Sequence, residues 1–436
     1  MTLPSRESVT REPDINTSFT KDVAADPAVL HARLRETCPV ALQKSDGGPL
    51  QNGWLVTRYE DIAAVTRDPE TFQQPVRWPG QPRPPLESNP PEHRHFRAVL
   101  QPFFMPSALA QFEPLSRRLA TSLLDVLIDA GGGDFAVGLA RPLPPQVLLA
   151  RLGQPLADWE RIKECCEASF LQGSTDPADV RTYEEANAYL WEYSHSAVAA
   201  RKAGQGDPRG PAYAPEPGCA SEPGVSHDPR GPHDPVDTFS DPIRAMLAAN
   251  VDGAPIEAGL VVGMVRLLLA AGHDSTTSAM GICLRYLAEN TAAQTHLRAN
   301  PSGIPDAIEE ILRLQAPVIQ MPRIVTKDVE LGGRALEAGD RVLLVFASGN
   351  RDGRKFEAPE ECRLDRAPNR HLSFGSGIHV CIGNGLARQE IRVTLEELLR
   401  RTEMFGLADE PRREFWHPYG VTRLMLWVKP TGLVGR

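Results

Sequence analysis

Cysteine is scarce. The 436 residues hold seven, at positions 38, 165, 166, 219, 283, 362 and 381, with no CxxC pair and no regular spacing. That pattern excludes a disulfide framework and a zinc ribbon, and it agrees with a reducing cytoplasm. Basic residues are outnumbered: 47 Lys and Arg against 56 Asp and Glu give a formal net charge of −9. Such a balance argues against a general nucleic-acid binder and says little else. Long apolar runs are missing too. The best, GLVVGMVRLLLAAG, is interrupted by Arg266 and runs into a polar HDSTT, too short and too polar-ended to span a bilayer. The opening MTLPSRESVTREPDIN lacks the apolar core of a secretory signal. These absences predict a soluble cytoplasmic protein with neither nucleic acid nor membrane as partner.

What is present is mostly helical pattern. WLVTRYEDIAAVTRD starts as a strand and turns into a helix near Tyr59, whereas Gln73 to Ser88 is proline-rich and should be irregular. PPEHRHFRAVLQPFF opens a helix behind two prolines. SALAQFEPLSRRLATSLLDVLIDA, DWERIKECCEASFL and TYEEANAYLWEYSHSAVAARKA carry helical spacing. A very long helix is expected from about Ile256 to Glu289, and another, DAIEEILRLQA, ends before Pro317. Two strand-like segments follow between Ile324 and Phe346, punctuated by Gly332-Gly333 and Gly339-Asp340. LARQEIRVTLEELLRR is a final helix of good propensity.

Residues 204–241 break the pattern with proline, glycine and two copies of DPRGP, at Asp207 to Pro211 and Asp228 to Pro232. With too little apolar surface to offset its ordering entropy, this stretch is expected to be a disordered insertion. It lies inside one domain spanning residues 1–436, because helices resume on both sides.

The chemistry concentrates in FGSGIHVCIGNG, Phe374 to Gly385. A buried inert cysteine would not need Gly375, Gly377 and Gly383 around it. A cysteine ligand works as thiolate, and a helix starting near Asn384 would favour that charge. The glycines permit positive φ and leave room for a flat group near the backbone.

The run Phe374-Gly375-x-Gly377-x-His379-x-Cys381-x-Gly383 resembles the haem-binding loop of the cytochrome P-450 haem-thiolate enzymes. The resemblance implies haem b as cofactor and Cys381 as the axial metal ligand, with Phe374 and Gly375 against the haem. Thiolate ligation separates such chemistry from histidine-ligated oxygen carriers.

Three further segments resemble the family in its order. Glu310-Ile311-Leu312-Arg313 matches the ExxR element, whose side chains share a helix face, and Arg366 falls where the family places a third, structural partner. Ala271-Gly272-His273-Asp274-Ser275-Thr276 is similar to the oxygen-activating segment. There Ala271 would help to make room above the haem, and Asp274, Ser275 and Thr276 would be the catalytic acid and hydroxyls that relay protons. Ser275 stands where the family usually has threonine, keeping the hydroxyl but losing the methyl that restricts its rotamer. His93, Arg97, Arg323 and His379 match the positions that hold the haem propionates.

The resemblance spans roughly residues 30 to 430. It implies a mainly α fold with a small β-rich part, the cytochrome P-450 fold. Pocket walls are expected from Gln73 to Ser88, from Leu267 and Ala271, from Val318, Ile319 and Gln320, and from Gly420, Val421 and Thr422. These residues suit a small, largely apolar or aromatic substrate. No flavin or dinucleotide fingerprint is visible, so electrons are expected from outside; the resemblance to the family's soluble bacterial members implies a ferredoxin and ferredoxin reductase, docking near Arg94, Arg388 and Arg392. The implied activity is monooxygenation. Oxidative coupling, demethylation or peroxide-driven oxidation on the same haem stay open as alternatives, and so does a non-catalytic haem sensor or carrier.

Overall fold

Proline at the first turn and short polar caps start several of the helices that dominate this computed structural model, which describes residues 27–43, 53–75, 81–204, 241–251, 253–414 and 419–432. The expected insertion therefore lies outside the described residues except at its two ends. The helices that position the site are α1 (Glu92–Leu100), α2 (Pro106–Asp129), α3 (Trp159–Ala168), α4 (Pro177–Lys202), α5 (Ala258–Ala271), α6 (Asp274–Glu289), α7 (Ile304–Leu314) and α8 (Asn384–Arg401). In α4, Asp176 accepts a hydrogen bond from the Ala178 N–H and Pro177 occupies the first turn, the combination that satisfies a helix start at least cost. The main core gathers α2, α5, α6 and α8 around Leu124, Met280, Leu284 and Leu395, none of them accessible to solvent.

One five-stranded sheet joins the two ends of the chain. Its strands are β1 (Val40–Gln43), β2 (Gly53–Val56), β3 (Phe72–Gln73), β4 (Met321–Val325) and β5 (Arg341–Leu344), in the order β1-β2-β5-β4-β3. β2 runs parallel to β5 with Leu55 opposite Leu343; the other pairings are antiparallel. Between Ile324 and Phe346 the two expected strand-like segments resolve into four short strands. Val329–Leu331 and Arg334–Leu336 form a hairpin of their own, turned by Gly332 and Gly333 at φ 55° and 77°, which glycine adopts without strain.

The long helix expected between Ile256 and Glu289 is broken. Gly272 still donates to the Leu268 carbonyl at 3.3 Å, and the ladder is running again where Thr277 donates to His273 at 2.9 Å. In between, side chains replace backbone. The Cys166 thiol donates to the Leu269 carbonyl (3.3 Å) and the Ser275 hydroxyl to the Ala271 carbonyl (3.2 Å). Side chains inserted into the ladder are a recognised cause of such kinks. The apolar spacing continues across the gap, so periodicity alone cannot show it.

The ExxR residues form a closed ionic cluster. Glu310 and Arg313 are fully buried and Arg366 nearly so. Arg313 grips Glu310 through two bonds (2.8 and 2.9 Å), and Arg366 Nε contacts both carboxylate oxygens at 3.0 Å. Arg313 also donates to the carbonyls of Asn350, Pro359 and Glu361, so the cluster holds the irregular chain that leads to the Cys381 loop. Breaking such a pair strands buried charge, at a cost of about 3–5 kcal/mol. Glu310→Ala should lower stability by that amount in urea titration; a change below about 1 kcal/mol would reduce the cluster to ornament.

Candidate active site

A cavity of about 290 Å³ opens between α5, α6, α1 and the loop from Phe374 to Gly383. The loop owes its shape to contacts at both ends. The Cys381 N–H donates to the Phe374 carbonyl at 2.8 Å, and Gly375 and Gly377 turn at φ 74° and 70°. A Cβ on Gly377 would stand 2.1 Å from the Thr66 carbonyl oxygen, so no other residue fits there. Deep inside the protein, the Cys381 side chain is accessible from the cavity it lines.

The expected stabilisation of a thiolate is only partly met by the protein itself. Burial pushes the Cys381 thiol up, opposed by the Gly383 N–H and by Arg97 and Arg388. A thiol in that balance loses its proton readily to a coordinating cation.

The cavity's polar wall is built of two guanidinium groups and two imidazoles. His93, Arg97, Arg323 and His379 all line it, and of the described lining residues Glu390 is the only carboxylic acid. The rings of His93 and His379 meet edge-to-face at 4.5 Å, and Nε2 of each is buried without a hydrogen-bond partner. Burial and neighbouring guanidinium groups lower His93 to about 4 and His379 to about 3; burial lowers Arg323 to about 10. Arg97 braces the cysteine loop, donating to the Val380 carbonyl at 2.6 Å. Buried nitrogens left without acceptors are costly, and a group bearing carboxylates would satisfy them. Haem supplies that need with its propionates while presenting iron to the thiol, so the residues present fit it. Phe374, Gly375 and Ala271 line the same space.

Of two further polar groups here, Gln74 falls within the expected Gln73 to Ser88 wall and Glu390 escaped the sequence reading. Gln74 lines the cavity with its Oε1 unpartnered, and Glu390, on α8, is buried and held well above the usual carboxylate range. Neither stands in a motif that singles it out.

The acid and hydroxyls of the broken helix do not point one way. Ser275 and Thr276 line the cavity. Asp274 is buried behind them, its Oδ1 accepting from Lys163 Nζ at 2.5 Å while Oδ2 has no partner. Burial raises the Asp274 carboxyl and Lys163 opposes the rise. Lys163, only 1% exposed, approaches Glu167 at 3.6 Å, and Glu167 pairs with Arg141 at the surface (3.0 Å). A charged chain therefore leads from Asp274 towards solvent. Lys163 was missed because its partner lies 111 residues away.

The apolar wall consists of Leu267, Leu268, Ala271 and Val318 with Pro85 and Leu86 from the proline-rich loop. Ile319, Gln320 and Val421 do not line it. In the extended segment after Pro317, Val318 faces the cavity and Ile319 turns to the opposite side, packing with Leu34 and Leu343. Val421 is buried in the main core against α6, beside Gly281.

The expected basic patch is largely neutralised. Arg388 is bound to Glu309 through two bonds of 2.7 Å, and Arg392 to Glu113 and Glu396. Arg94 stays exposed, donating to His95.

Fold and site fit a haem-thiolate protein, the class that comparison with known proteins also indicates. The cytochrome P450 family model matches residues 304–424. The chain is 32% identical to nocardicin C N-oxygenase of Nocardia uniformis subsp. tsuyamanensis, over 93% of this chain and 95% of that protein. It is 29% identical to cytochrome P450 109 of Bacillus spizizenii, over 91% of each. Among solved structures, CYP109Q5 from Chondromyces apiculatus superposes with a TM-score of 0.78 at 27% identity, covering 95% of this chain and 98% of that one. The chain belongs to the cytochrome P450 family and is a P450 monooxygenase.

Proposed function

We propose that this protein holds haem b through the Cys381 thiolate and inserts one oxygen atom from dioxygen into a small, largely apolar organic molecule. The observation that carries the reading is the convergence on one cavity of Cys381, a wall of two arginines and two histidines whose Nε2 atoms lack partners, and an aliphatic wall. When bound, the haem supplies dioxygen activation, with one oxygen atom passing to substrate and the other leaving as water. The chain's own residues do the rest. His93, Arg97, Arg323 and His379 hold the propionates, and Leu267, Leu268 and Val318 exclude water from the substrate side. Asp274 passes protons inward by way of the hydroxyls of Ser275 and Thr276.

Electrons are supplied by a ferredoxin and its reductase in the cytoplasm. With Arg388 and Arg392 engaged internally, Arg94 is the basic residue of the three best placed to meet an acidic partner. Ligands seen in neighbouring structures support a largely apolar organic substrate. CYP109E1 from Bacillus megaterium, 26% identical over 93% of this chain with a TM-score of 0.75, was solved with corticosterone. A mutant of P450 EryK, 28% identical over 95% with a TM-score of 0.77, was solved with erythromycin B.

The test is a panel of steroids, macrolides and small aromatics added to the haem-loaded protein. Binding beside the haem displaces water and shifts the spectrum from low to high spin. At least one apolar class should give a saturable shift, followed by an oxygenated product when ferredoxin and reductase are supplied. Shifts confined to charged, polar compounds would overturn the substrate class.

A further inference from the structure

Glu309, the residue before the ExxR glutamate, belongs to none of the motifs and yet organises the far side of the Cys381 loop. Its two oxygens accept both Arg388 bonds at 2.7 Å. Oε2 also meets His371 Nε2 at 3.1 Å. The other imidazole nitrogen, Nδ1, accepts from the Ser373 N–H at 3.1 Å, which directs the Nε2 proton to Glu309. Arg388 is the guanidinium paired with the Glu309 carboxylate. Burial alone would raise that carboxylate, but the bonds from Arg388 and His371 bring it down to about 2.

Both partners of Glu309 rest on one ring. The Arg388 guanidinium lies 4.2 Å from the Phe374 centroid and the His371 ring 5.9 Å from it. Phe374 in turn accepts the Cys381 N–H. Arg388 also donates to Asn384 at 2.5 Å, and the Asn384 amide donates to the Cys381 carbonyl. Both chains of contacts therefore end on the backbone of one residue, Cys381.

We infer that Glu309 is a positioning residue that sets the electron-donating strength of the Cys381 ligand, by neutralising Arg388 and holding it with His371 against Phe374. The inference rests on Cys381 being the haem ligand. In the intact pair Glu309 offsets part of the Arg388 charge that acts on the sulfur. Without the Glu309 charge, Arg388 would draw electron density from the sulfur and favour the reduced haem. Without Arg388, the bare carboxylate would do the reverse. Arg388, assigned by sequence to partner docking, becomes part of the ligand's surroundings instead.

Glu309→Gln, Arg388→Met and Arg388→Lys separate this from a packing role, with haem-loaded protein and spectroelectrochemical titration. Glu309→Gln should shift the reduction potential upward, Arg388→Met should shift it downward, and Arg388→Lys should stay near the wild type. Both shifts should shrink as salt is raised, because the pair is part-exposed. Shifts of the same sign in the first two variants, or none, would overturn the inference while the thiolate assignment stands. So would a loss of the red-shifted carbon monoxide band in Arg388→Lys equal to that in Arg388→Met, since packing alone would then explain both. A wild-type protein lacking that band would remove the thiolate assignment, and the inference with it.

Discussion

Cys381→Ser removes the red-shifted Soret band of the reduced carbon monoxide complex and takes turnover to background. That is the largest effect expected of any single substitution here. Serine nearly matches cysteine in size, so the loop closed by the Cys381 N–H to Phe374 bond should persist, and the melting temperature of the apoprotein should barely move. Only the ligand changes, from a readily ionised, polarisable sulfur to a hydroxyl that keeps its proton near neutrality. Haem should still enter, because His93, Arg97, Arg323 and His379 are untouched. The variant should therefore be coloured, folded and inactive. A spectrum unchanged from wild type would show that the iron is held elsewhere.

Asp274→Asn is the second. The amide keeps the shape of the carboxyl but cannot act as an acid, and positioned acids contribute about 10²–10⁴-fold to rate. Product formation should fall within that range. The spin shift on substrate binding should persist, since Asp274 lies behind the wall that Ser275 and Thr276 present. NADH consumption should fall less than product, lowering the yield per electron pair. The substitution also leaves Lys163 buried without its acid, so some loss of stability is expected. Haem content must therefore be matched before rates are compared. Normal product yield at matched haem content would exclude Asp274 from proton delivery.

The fold was legible in the sequence wherever residues close along the chain set the structure. The glycine-spaced cysteine loop, the Glu310–Arg313 pair and most helix limits fall in that class. Features that depend on distant partners were not. The break at Gly272 depends on Cys166, more than a hundred residues earlier, donating to Leu269. Arg388 and Arg392 read as free basic groups because Glu309 and Glu113 come from other helices. Ile319 and Val421 were placed near the cavity by position along the chain, which does not tell one side of an extended segment from the other. Of the site, the cysteine loop and the histidines and arginines that line the cavity with it were legible; the pairing of Asp274 with Lys163 was not.

The contact between Gly377 and Thr66 has a bearing on assembly. The turn that presents the cysteine is pressed against the backbone of a helix near the start of the chain, Tyr59–Arg67. The same early region supplies β2, which runs beside β5. Contacts spanning some three hundred residues close slowly, because their loop entropy is lost before they repay it. The cysteine loop can take its final form only once the two ends of the polypeptide have met. On the proposed haem-thiolate reading, the loop should therefore reach the form that holds a cofactor late in folding, after these distant segments have paired.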